Sequence, residues 1–392
     1  MNGGAAEVAP APAAAALVRF ELRAPGEPAR EAAFLTEAGD PPPSSLGLAH
    51  DQTTADGALG AAKSGRSLLY RGNWKNARQL VDALGRRLAR RRPEKGSPSP
   101  LDAFRSERAQ RRREHEVQGR ILVELGPGWS LALGAAPDVR EACELAWGPW
   151  PGLPVVLSIP TLLGALGAAE WSRKGLAVPG LSRPLVPRYG VYTPTRSEYV
   201  RLILEAPPPT GRRIFDVGTG TGVLAFVLLE RGAASAVATD REPRAVACAR
   251  DNAARLGLQD RFRVEERDLF PDGRADLVVC NPPWIPDVPR TALDRAVFDP
   301  GGELLRRFIA GLPERLAPGG EGWLLLGDLA ELLSLRPADW LGDELARAGL
   351  EIRWRRSTSP DHRRTTDERD PLRSLRARET TTLYALGVRD QK

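Results

Sequence analysis

The stretch 213–240, RIFDVGTGTGVLAFVLLERGAASAVATD, has the layout of a strand, a glycine turn, a helix and a second strand. Its glycines, Gly218, Gly220 and Gly222, follow a short apolar run that predicts a buried strand. Because glycine lacks a Cβ atom, it allows a tight turn and lets a ligand approach the backbone closely. The second predicted strand ends at Asp240, where a carboxylate suits the diol of a ribose. The stretch therefore predicts a binding loop for a ribose-containing ligand.

The spacing of the glycines separates the two ligand classes that use this layout, dinucleotides and S-adenosylmethionine. A dinucleotide fingerprint has a third glycine where this chain has Val223, and it places a pyrophosphate at the helix N-terminus. Here the glycines follow Asp216, a carboxylate that repels a pyrophosphate and attracts a cationic amino group. We therefore expect the chain to bind S-adenosylmethionine and not NAD. The alternative is an ordinary glycine-rich loop.

The pattern D-x-G-x-G-x-G that begins at Asp216 resembles motif I of class I S-adenosylmethionine-dependent methyltransferases. The resemblance implies that Asp216 lies near the methionine end of the cofactor and that Asp240 binds the ribose. It also implies that Asp268 binds the adenine amino group and Leu269 covers the ring, as the corresponding segments do in that family. The cofactor-binding residues expected on this basis are Asp216, Gly218, Thr219, Gly220, Gly222, Asp240, Arg241, Asp268, Leu269 and Asn281.

A second motif, DLVVCNPPWI at 276–285, ends a predicted buried strand in Asn281-Pro282-Pro283-Trp284. Proline cannot donate ladder hydrogen bonds, so a rigid loop follows at the carboxyl end of the strand, where open α/β sheets bind their ligands. The Asn281 amide oxygen and the Pro282 carbonyl can both accept hydrogen bonds from one planar NH2 group, which turns the nitrogen lone pair toward a methyl donor. The Trp284 ring offers a face on which a flat group can stack.

These properties predict catalysis by positioning the acceptor, with no strong general base. The catalytic residues expected are Asn281, Pro282 and Trp284. Pro283 and Trp284 are expected to contact the substrate.

The N-P-P-W sequence resembles the [DNS]-P-P-[YFW] motif of methyltransferases that act on exocyclic amino groups of adenine or guanine and on the glutamine side chain of peptide release factors. The resemblance covers 184–388 and implies an N-methyltransferase whose acceptor is a base of rRNA or tRNA or a protein glutamine. A small molecule is an alternative acceptor. The competing class is a non-catalytic RNA-binding or assembly module that retains the fold.

The hinge 184–195, PLVPRYGVYTPT, is rich in proline and is predicted to be extended. In the enzymes that the later motif resembles, a proline-containing segment upstream of motif I folds over the cofactor. The residues that could act in this way here are Thr193, Pro194, Arg196 and Glu198. Tyr192, Thr193 and Arg196 are expected to bind substrate. The alternative is a structural linker whose Tyr189 and Tyr192 cap the core.

The alternation of strand and helix after residue 184 predicts an α/β fold with a parallel sheet. The resemblance implies a Rossmann-like seven-stranded methyltransferase sheet with strand seven antiparallel. We expect a disordered Ala/Pro-rich leader at 1–55, an α+β accessory domain at 56–183 and the methyltransferase domain at 184–392. The accessory domain is predicted to be helical, with a small hairpin around the turn 125–130, which we favour over a second cofactor loop.

The cysteines and the apolar segments of the chain restrict the cellular compartment and the kinds of site that we expect. The three cysteines among 392 residues are widely spaced, so we expect neither a disulfide framework nor a metal site, and we expect a reducing compartment. The chain has no apolar segment long enough to span a membrane and no secretory signal pattern, which predicts a cytoplasmic protein without membrane contact. The sequence leaves the oligomeric state open.

The positive charge is concentrated at 86–113, a stretch that contains eleven basic and three acidic side chains. Such a strip could track the phosphates of a nucleic acid. However, 51 of the 56 basic residues in the chain are arginine, which matches a coding bias toward GC-rich codons. A solvated arginine-rich helix face is therefore an equal alternative to an RNA contact.

Overall fold

A computed structural model describes residues 16–37, 39–89, 99–289, 293–359 and 372–389. The chain divides into two compact units. The N-terminal unit consists of Met1–Glu94 and Arg108–Glu170, and the C-terminal unit consists of Lys95–Glu107 and Trp171–Lys392. The predicted domain boundary at 183/184 is therefore later in the chain than the observed one. The observed boundary lies inside a helix, so no proline- or glycine-rich linker indicates it in the sequence.

The N-terminal unit is built on a seven-stranded sheet of order β1-β2-β7-β5-β4-β3, in which β6 pairs with β5. Its strands are β1 (Ala16–Leu22), β2 (Arg30–Thr36), β3 (Leu46–Ala49), β4 (Ser67–Tyr70), β5 (Ile121–Gly126), β6 (Ser130–Leu131) and β7 (Val155–Ser158). Its helices are α1 (Ala55–Lys63), α2 (Trp74–Ala89), α3 (Pro100–Gln118), α4 (Arg140–Trp147) and α5 (Ile159–Lys174), of which α3 and α5 continue into the C-terminal unit.

The expectation of a disordered leader at 1–55 is wrong for the strands β1, β2 and β3. Leu22, Ala32 and Leu35 are at most 2% exposed, because they pack in the cores on the two faces of the sheet. Many of the buried residues are alanines, whose weak apolar signal hid the alternation of the strands. Residues 1–15 lie outside the described residues. The accessory domain therefore holds a full sheet and not only helices and a hairpin.

The helical content and the hairpin predicted for this unit are both present. Helix α2 buries Trp74, Ala77 and Leu84 on one face, and the side chain of Asn73 accepts a hydrogen bond from the backbone N–H of Lys75 at 2.9 Å. The hairpin forms between β5 and β6, with Leu125 paired to Leu131, although its return strand is only two residues long.

The C-terminal unit contains the predicted methyltransferase sheet. Its strands are β8 (Arg213–Val217), β9 (Ser235–Asp240), β10 (Phe262–Glu266), β11 (Ala275–Cys280), β12 (Leu316–Gly327), β13 (Leu350–Thr358) and β14 (Thr381–Val388). Their order is β10-β9-β8-β11-β12-β14-β13, and β14 is antiparallel to both of its neighbours. The seven-stranded Rossmann-like sheet with an antiparallel last strand is confirmed.

Helices cover both faces of this sheet. They are α6 (Glu198–Glu205), α7 (Val223–Glu230), α8 (Pro243–Leu256), α9 (Glu303–Arg315), α10 (Leu329–Leu332), α11 (Trp340–Arg347) and α12 (Arg373–Arg376). Residues 223–229 of α7 are all buried, so this helix has no polar face and anchors the preceding glycine turn in the core. Because β8, β9, β10, β11 and β12 pair in parallel, their carboxyl ends share one edge of the unit.

The arginine strip lies mainly on α3, and its residues 90–98 are outside the described part of the chain. Phe104 and Glu107 are the buried residues of α3, whereas Arg105 and Arg111 are exposed. No helix in the described ranges combines the length and the apolar character that crossing a bilayer requires. Cys143, Cys248 and Cys280 are free and buried.

Candidate active site

The glycine turn lies at the carboxyl ends of β8 and β9. The backbone N–H groups of Gly218 and Thr219 both donate to the Thr239 carbonyl at 2.9 Å. The N–H of Gly220 donates to Oδ2 of Asp240, also at 2.9 Å. These bonds join the turn to the end of the second strand and place the Asp240 carboxylate beside the loop, as the sequence predicts.

Asn252 on α8 ties the turn to the hinge, and sequence reasoning missed it. Its side-chain oxygen accepts from the N–H of Val186 at 2.9 Å, and its NH2 group donates to the carbonyls of Val186 and Thr221, both at 3.2 Å. The extended hinge is therefore fixed beside the glycine turn. A buried asparagine on the inner face of a predicted helix is the signal that could have indicated such a role.

We expect Gly222→Ala to lower the free energy of unfolding by roughly 2 kcal/mol, since the residue has a left-handed φ of +88° and a Cβ atom would lie 2.2 Å from the Phe226 ring. Gly220→Ala is the matched control. Its φ is +55°, but no atom lies within 4 Å of the added Cβ, so its loss of stability should be smaller. Urea unfolding of both variants measures the difference. Equal midpoints would contradict the close packing of the turn on Phe226.

Asp216 is a buried carboxylate directly under the turn, 1% exposed. Its Oδ2 accepts from the Thr219 hydroxyl at 2.7 Å and from the N–H of Ala225 at 3.2 Å. Burial raises the pKa of Asp216 to about 6, although the two hydrogen bonds oppose the shift. A carboxylate that is costly to keep ionised is stabilised by a cation, so this position fits the cationic amino group of the predicted cofactor.

The ribose end of the predicted cofactor site contains a second carboxylate and an ion pair. Asp240 is half-buried, and burial raises its pKa. The exposed Arg241 lies 4.0 Å from Glu242, whose carboxylate also accepts from Arg295 at 2.6 Å. Arg241 is thus placed beside Asp240 at the surface. Its cofactor contact stays a prediction, and the Glu242–Arg295 pair was not foreseen.

The loop after β10 holds Asp268 and Leu269 where the sequence places them. Asp268 is half-exposed and accepts a hydrogen bond from Arg307 at 2.6 Å. Leu269 has a φ of +61°, and its carbonyl accepts from the Thr239 hydroxyl. A left-handed backbone is costly at a leucine, and the hydrogen bond from Thr239 helps to hold it. The pairing of Asp268 with Arg307 was not predicted, and it occupies one oxygen of the carboxylate expected on adenine.

The Asn281-Pro282-Pro283-Trp284 turn follows β11, which pairs in parallel with β8. Val279 is opposite Asp216, and Cys280 is opposite Val217. Asn281 is therefore level with Gly218 on the neighbouring strand. The predicted acceptor-binding turn and the predicted cofactor loop are brought together by this register.

The side chain of Asn281 is engaged by the turn itself. The indole N–H of Trp284 donates to the Asn281 amide oxygen at 3.0 Å. The sequence predicts that this oxygen binds only the acceptor. In the structure the Trp284 N–H occupies one lone pair of the oxygen, and one lone pair remains for the acceptor. The Trp284 ring packs against Gly327, where a Cβ atom would lie 2.4 Å from Cε3.

The segment upstream of motif I reaches the same turn. The guanidinium carbon of Arg196 lies over the Trp284 ring, 5.8 Å from its centroid. Arg196 also donates to Glu198 and lies 3.7 Å from Glu379. Tyr192 is 40% exposed and Thr193 is half-buried, and their contact with substrate stays a prediction. Glu379 was missed, because no local pattern connects it with the motifs.

The segment 285–299, called here the 285–299 loop, has closely tied ends, and its residues 290–292 lie outside the described part of the chain. The N–H of Ile285 donates to the Val297 carbonyl at 3.2 Å, and the N–H of Asp299 donates back to Ile285 at 2.9 Å. The buried Asp299 carboxylate accepts from the first N–H groups of α9, those of Leu304 at 3.0 Å and Leu305 at 3.1 Å. The loop thus begins and ends at fixed points beside the Asn281 turn.

Two comparisons by sequence identify relatives. The profile of the family described as Ribosomal protein L11 methyltransferase (PrmA) matches residues 201–282, which include both motifs as far as Pro282. The release factor glutamine methyltransferase of Deinococcus radiodurans is 34% identical over 263 residues, covering 63% of this chain and 87% of that protein.

Other relatives match over shorter stretches. The release factor glutamine methyltransferase of Cereibacter sphaeroides is 40% identical over 129 residues, covering 29% of this chain and 46% of that protein. The ribosomal protein L11 methyltransferase of Symbiobacterium thermophilum is 45% identical over 78 residues, covering 20% of this chain and 26% of that protein. The chain thus spans less than half the length of these two relatives.

Among solved structures, the ribosomal protein L11 methylase of Lactobacillus delbrueckii subsp. bulgaricus shares 20% identity and covers 48% of this chain and 76% of its own, with a TM-score of 0.33. The family assignment depends on the Deinococcus radiodurans relative, because 87% of that protein is covered. The chain therefore belongs to the family of the release factor glutamine methyltransferases, and it is a class I methyltransferase with S-adenosylmethionine as its cofactor, as its motifs predict.

Proposed function

We propose that this enzyme methylates the amide nitrogen of a glutamine side chain in a protein. The observation that carries the proposal is the register that sets Asn281 level with Gly218, because it places acceptors for an amide NH2 group beside the cofactor loop. The names of the relatives, which include release factor glutamine methyltransferase and ribosomal protein L11 methyltransferase, support a protein acceptor.

The chemistry requires positioning more than acid–base catalysis. S-adenosylmethionine supplies an electrophilic methyl group on its sulfonium. The remaining lone pair of the Asn281 amide oxygen and the Pro282 carbonyl accept the two N–H groups of the acceptor, which directs the nitrogen lone pair toward the cofactor loop. As positive charge develops on that nitrogen, the same two oxygens stabilise it; the new N–C bond replaces the S–C bond of the sulfonium, neutral S-adenosylhomocysteine would leave, and the methylated nitrogen would release one proton to water. Asp216 and Asp240 hold the cofactor from the neighbouring strands.

A nucleic-acid base is the second candidate acceptor, since the same two oxygens can hold any planar NH2 group. Recognition of a base would use the Trp284 ring as a stacking platform. The contacts of that ring with Arg196 and Gly327 occupy part of its surface, which favours the smaller carboxamide. Arg111 and Arg112 of α3 are exposed, and Arg112 is paired with Glu116 at 2.5 Å.

The test is methyl transfer from labelled S-adenosylmethionine to three acceptors, namely a purified bacterial peptide release factor, ribosomal protein L11 and total RNA. We expect label in the release factor, located at one glutamine by mass spectrometry. A release factor with that glutamine replaced by glutamate is the matched control and should remain unlabelled. Label confined to RNA would overturn the proposal in favour of a base amino group, and label confined to L11 would overturn the choice of acceptor protein.

A further inference from the structure

A cluster of buried charged groups lies beside the Asn281 turn. Glu198 and Glu379 are 1% and 2% exposed. Arg196 lies between them, since its Nε donates to Glu198 Oε1 and its Nη2 is 3.7 Å from Glu379 Oε1. The second contact is an ion pair without a hydrogen bond. Arg196 therefore lies between two carboxylates, and the charge of Arg376 also acts on Glu379.

The cluster is incompletely satisfied. Within the described ranges, four of its atoms have no hydrogen-bond partner and are closed to solvent: Arg196 Nη2, Glu198 Oε2, Glu379 Oε2 and Thr381 Oγ1. Burial raises the pKa of Glu379, and Arg196 opposes that shift. Buried charges that lack full hydrogen bonding cost stability, and apolar side chains of the same volume often stabilise a fold more. Folding alone therefore does not account for these residues.

The position of the cluster connects it to the acceptor. Gly327, at the carboxyl end of β12, is paired with Thr381 of β14. The Asp328 carboxylate accepts from the N–H of Thr380 at 2.7 Å, which fixes the segment that carries Glu379. The Trp284 ring packs on Gly327 and lies under Arg196. A continuous series of contacts thus runs from the two carboxylates through Arg196 and Trp284 to the Asn281 amide.

The orientation of the Asn281 amide requires such support. The terminal torsion of asparagine is broad and has two nearly equivalent settings. An indole N–H can only donate, so its hydrogen bond to the Asn281 oxygen fixes which end of the amide faces Trp284. A rotated amide would present N–H groups where an acceptor NH2 group needs an oxygen.

We propose that Glu198 and Glu379 are positioning residues for methyl transfer. They hold Arg196 on the Trp284 ring, the ring keeps its N–H on the Asn281 oxygen, and the oxygen is thereby set for the acceptor nitrogen. The inference deepens the proposed function, because it depends on Asn281 receiving an NH2 group. It does not depend on whether that group belongs to a glutamine or to a base.

The first test replaces Glu379 with glutamine, which keeps the volume and removes the charge. We expect kcat to fall about 10- to 100-fold, on the scale of a misplaced catalytic group, while KM for the acceptor and the Kd of S-adenosylhomocysteine stay within about twofold. The Tm should equal or exceed that of the wild type. Glu321→Gln is the matched control, because Glu321 also pairs with an arginine at 3.2 Å and accepts from an indole N–H at 3.3 Å but lies away from the carboxyl ends of the strands. Its kcat should be unchanged.

The second test is a double-mutant cycle with Asn281→Ala. If Glu379 acts through Asn281, Glu379→Gln should cause no further loss of kcat when Asn281 is already alanine. The inference would be overturned if the kcat losses of the two substitutions multiplied in the double variant. It would also be overturned if Glu379→Gln had a wild-type kcat or changed only the KM for the acceptor. Glu198→Gln replaces Glu379→Gln in the cycle if the latter does not fold. The cycle uses whichever acceptor the wild type methylates. If that acceptor is RNA, the glutamine proposal is wrong, and the positioning role of Glu198 and Glu379 is still decided by the cycle.

Discussion

Replacing Asn281 with alanine is expected to lower the single-turnover rate of methyl transfer about 100-fold or more, the scale of losing one positioned polar group in an active site. The amide oxygen is one of two acceptors that matter most as charge develops on the target nitrogen. Asp216 and Asp240 are untouched by the change, so the affinity for S-adenosylhomocysteine should fall far less than the transfer rate, although Asn281 is also among the residues expected to contact the cofactor. Rapid-quench transfer and calorimetry on the same variant separate the two quantities.

Trp284→Phe is the matched control for that experiment. It keeps an aromatic ring but removes the N–H that donates to Asn281 at 3.0 Å, together with part of the indole surface that packs on Gly327, so we expect a loss of about tenfold. Transfer by Asn281→Ala at a near wild-type rate would show that the amino-group mechanism is wrong. An oxygen, carbon or sulfur acceptor would then take its place.

Replacing Asp216 with asparagine is expected to weaken cofactor binding roughly 100-fold at pH 7.5 and yet to stabilise the fold. In the wild type the folded-state pKa of about 6 lies above the ordinary value of 3.8. The ionised form is therefore disfavoured by folding, and the contribution of this group to stability rises as the pH falls from about 6 toward 4. Asparagine removes that cost while its oxygen can still accept from Thr219, so stability at pH 7.5 should rise by roughly 1–3 kcal/mol.

The pH dependence of binding has the opposite sign. A cationic amino group needs the ionised carboxylate, so the affinity of the wild type for S-adenosylhomocysteine should fall as the pH is lowered through about 6. In Asp216→Asn this dependence should be lost. Asp276→Asn is the control, because Asp276 lies near the start of β11, at the opposite end from the Asn281 turn. This variant should bind S-adenosylhomocysteine as tightly as the wild type does. A wild-type affinity that is constant from pH 5 to 8 would contradict the assignment of Asp216 to the amino group.

Much of the site could be predicted from the sequence because its motifs adjoin short apolar strands. Asp216, Asp240 and Asn281 each end or follow a contiguous buried run, so their place at one edge of a parallel sheet follows from chain direction alone. The antiparallel direction of the last strand came from the resemblance and is confirmed.

The remainder depends on contacts between residues that are distant in sequence. Glu379 meets Arg196 only because β14 is inserted beside β12, and no local spacing indicates that meeting. The bond from Trp284 to Asn281 requires the conformation of the turn, which composition does not specify. The strands within 16–49 were missed because alanine and proline dominate the composition of that region and conceal its alternation.

The tied ends of the 285–299 loop have a consequence for evolution and engineering. Because Ile285 and Asp299 are bonded to each other and Asp299 caps α9, the chain between them can change in length without moving either attachment point. A longer loop costs little extra entropy once its ends are fixed. Insertion or exchange between these two points should therefore leave the Asn281 turn and α9 in place.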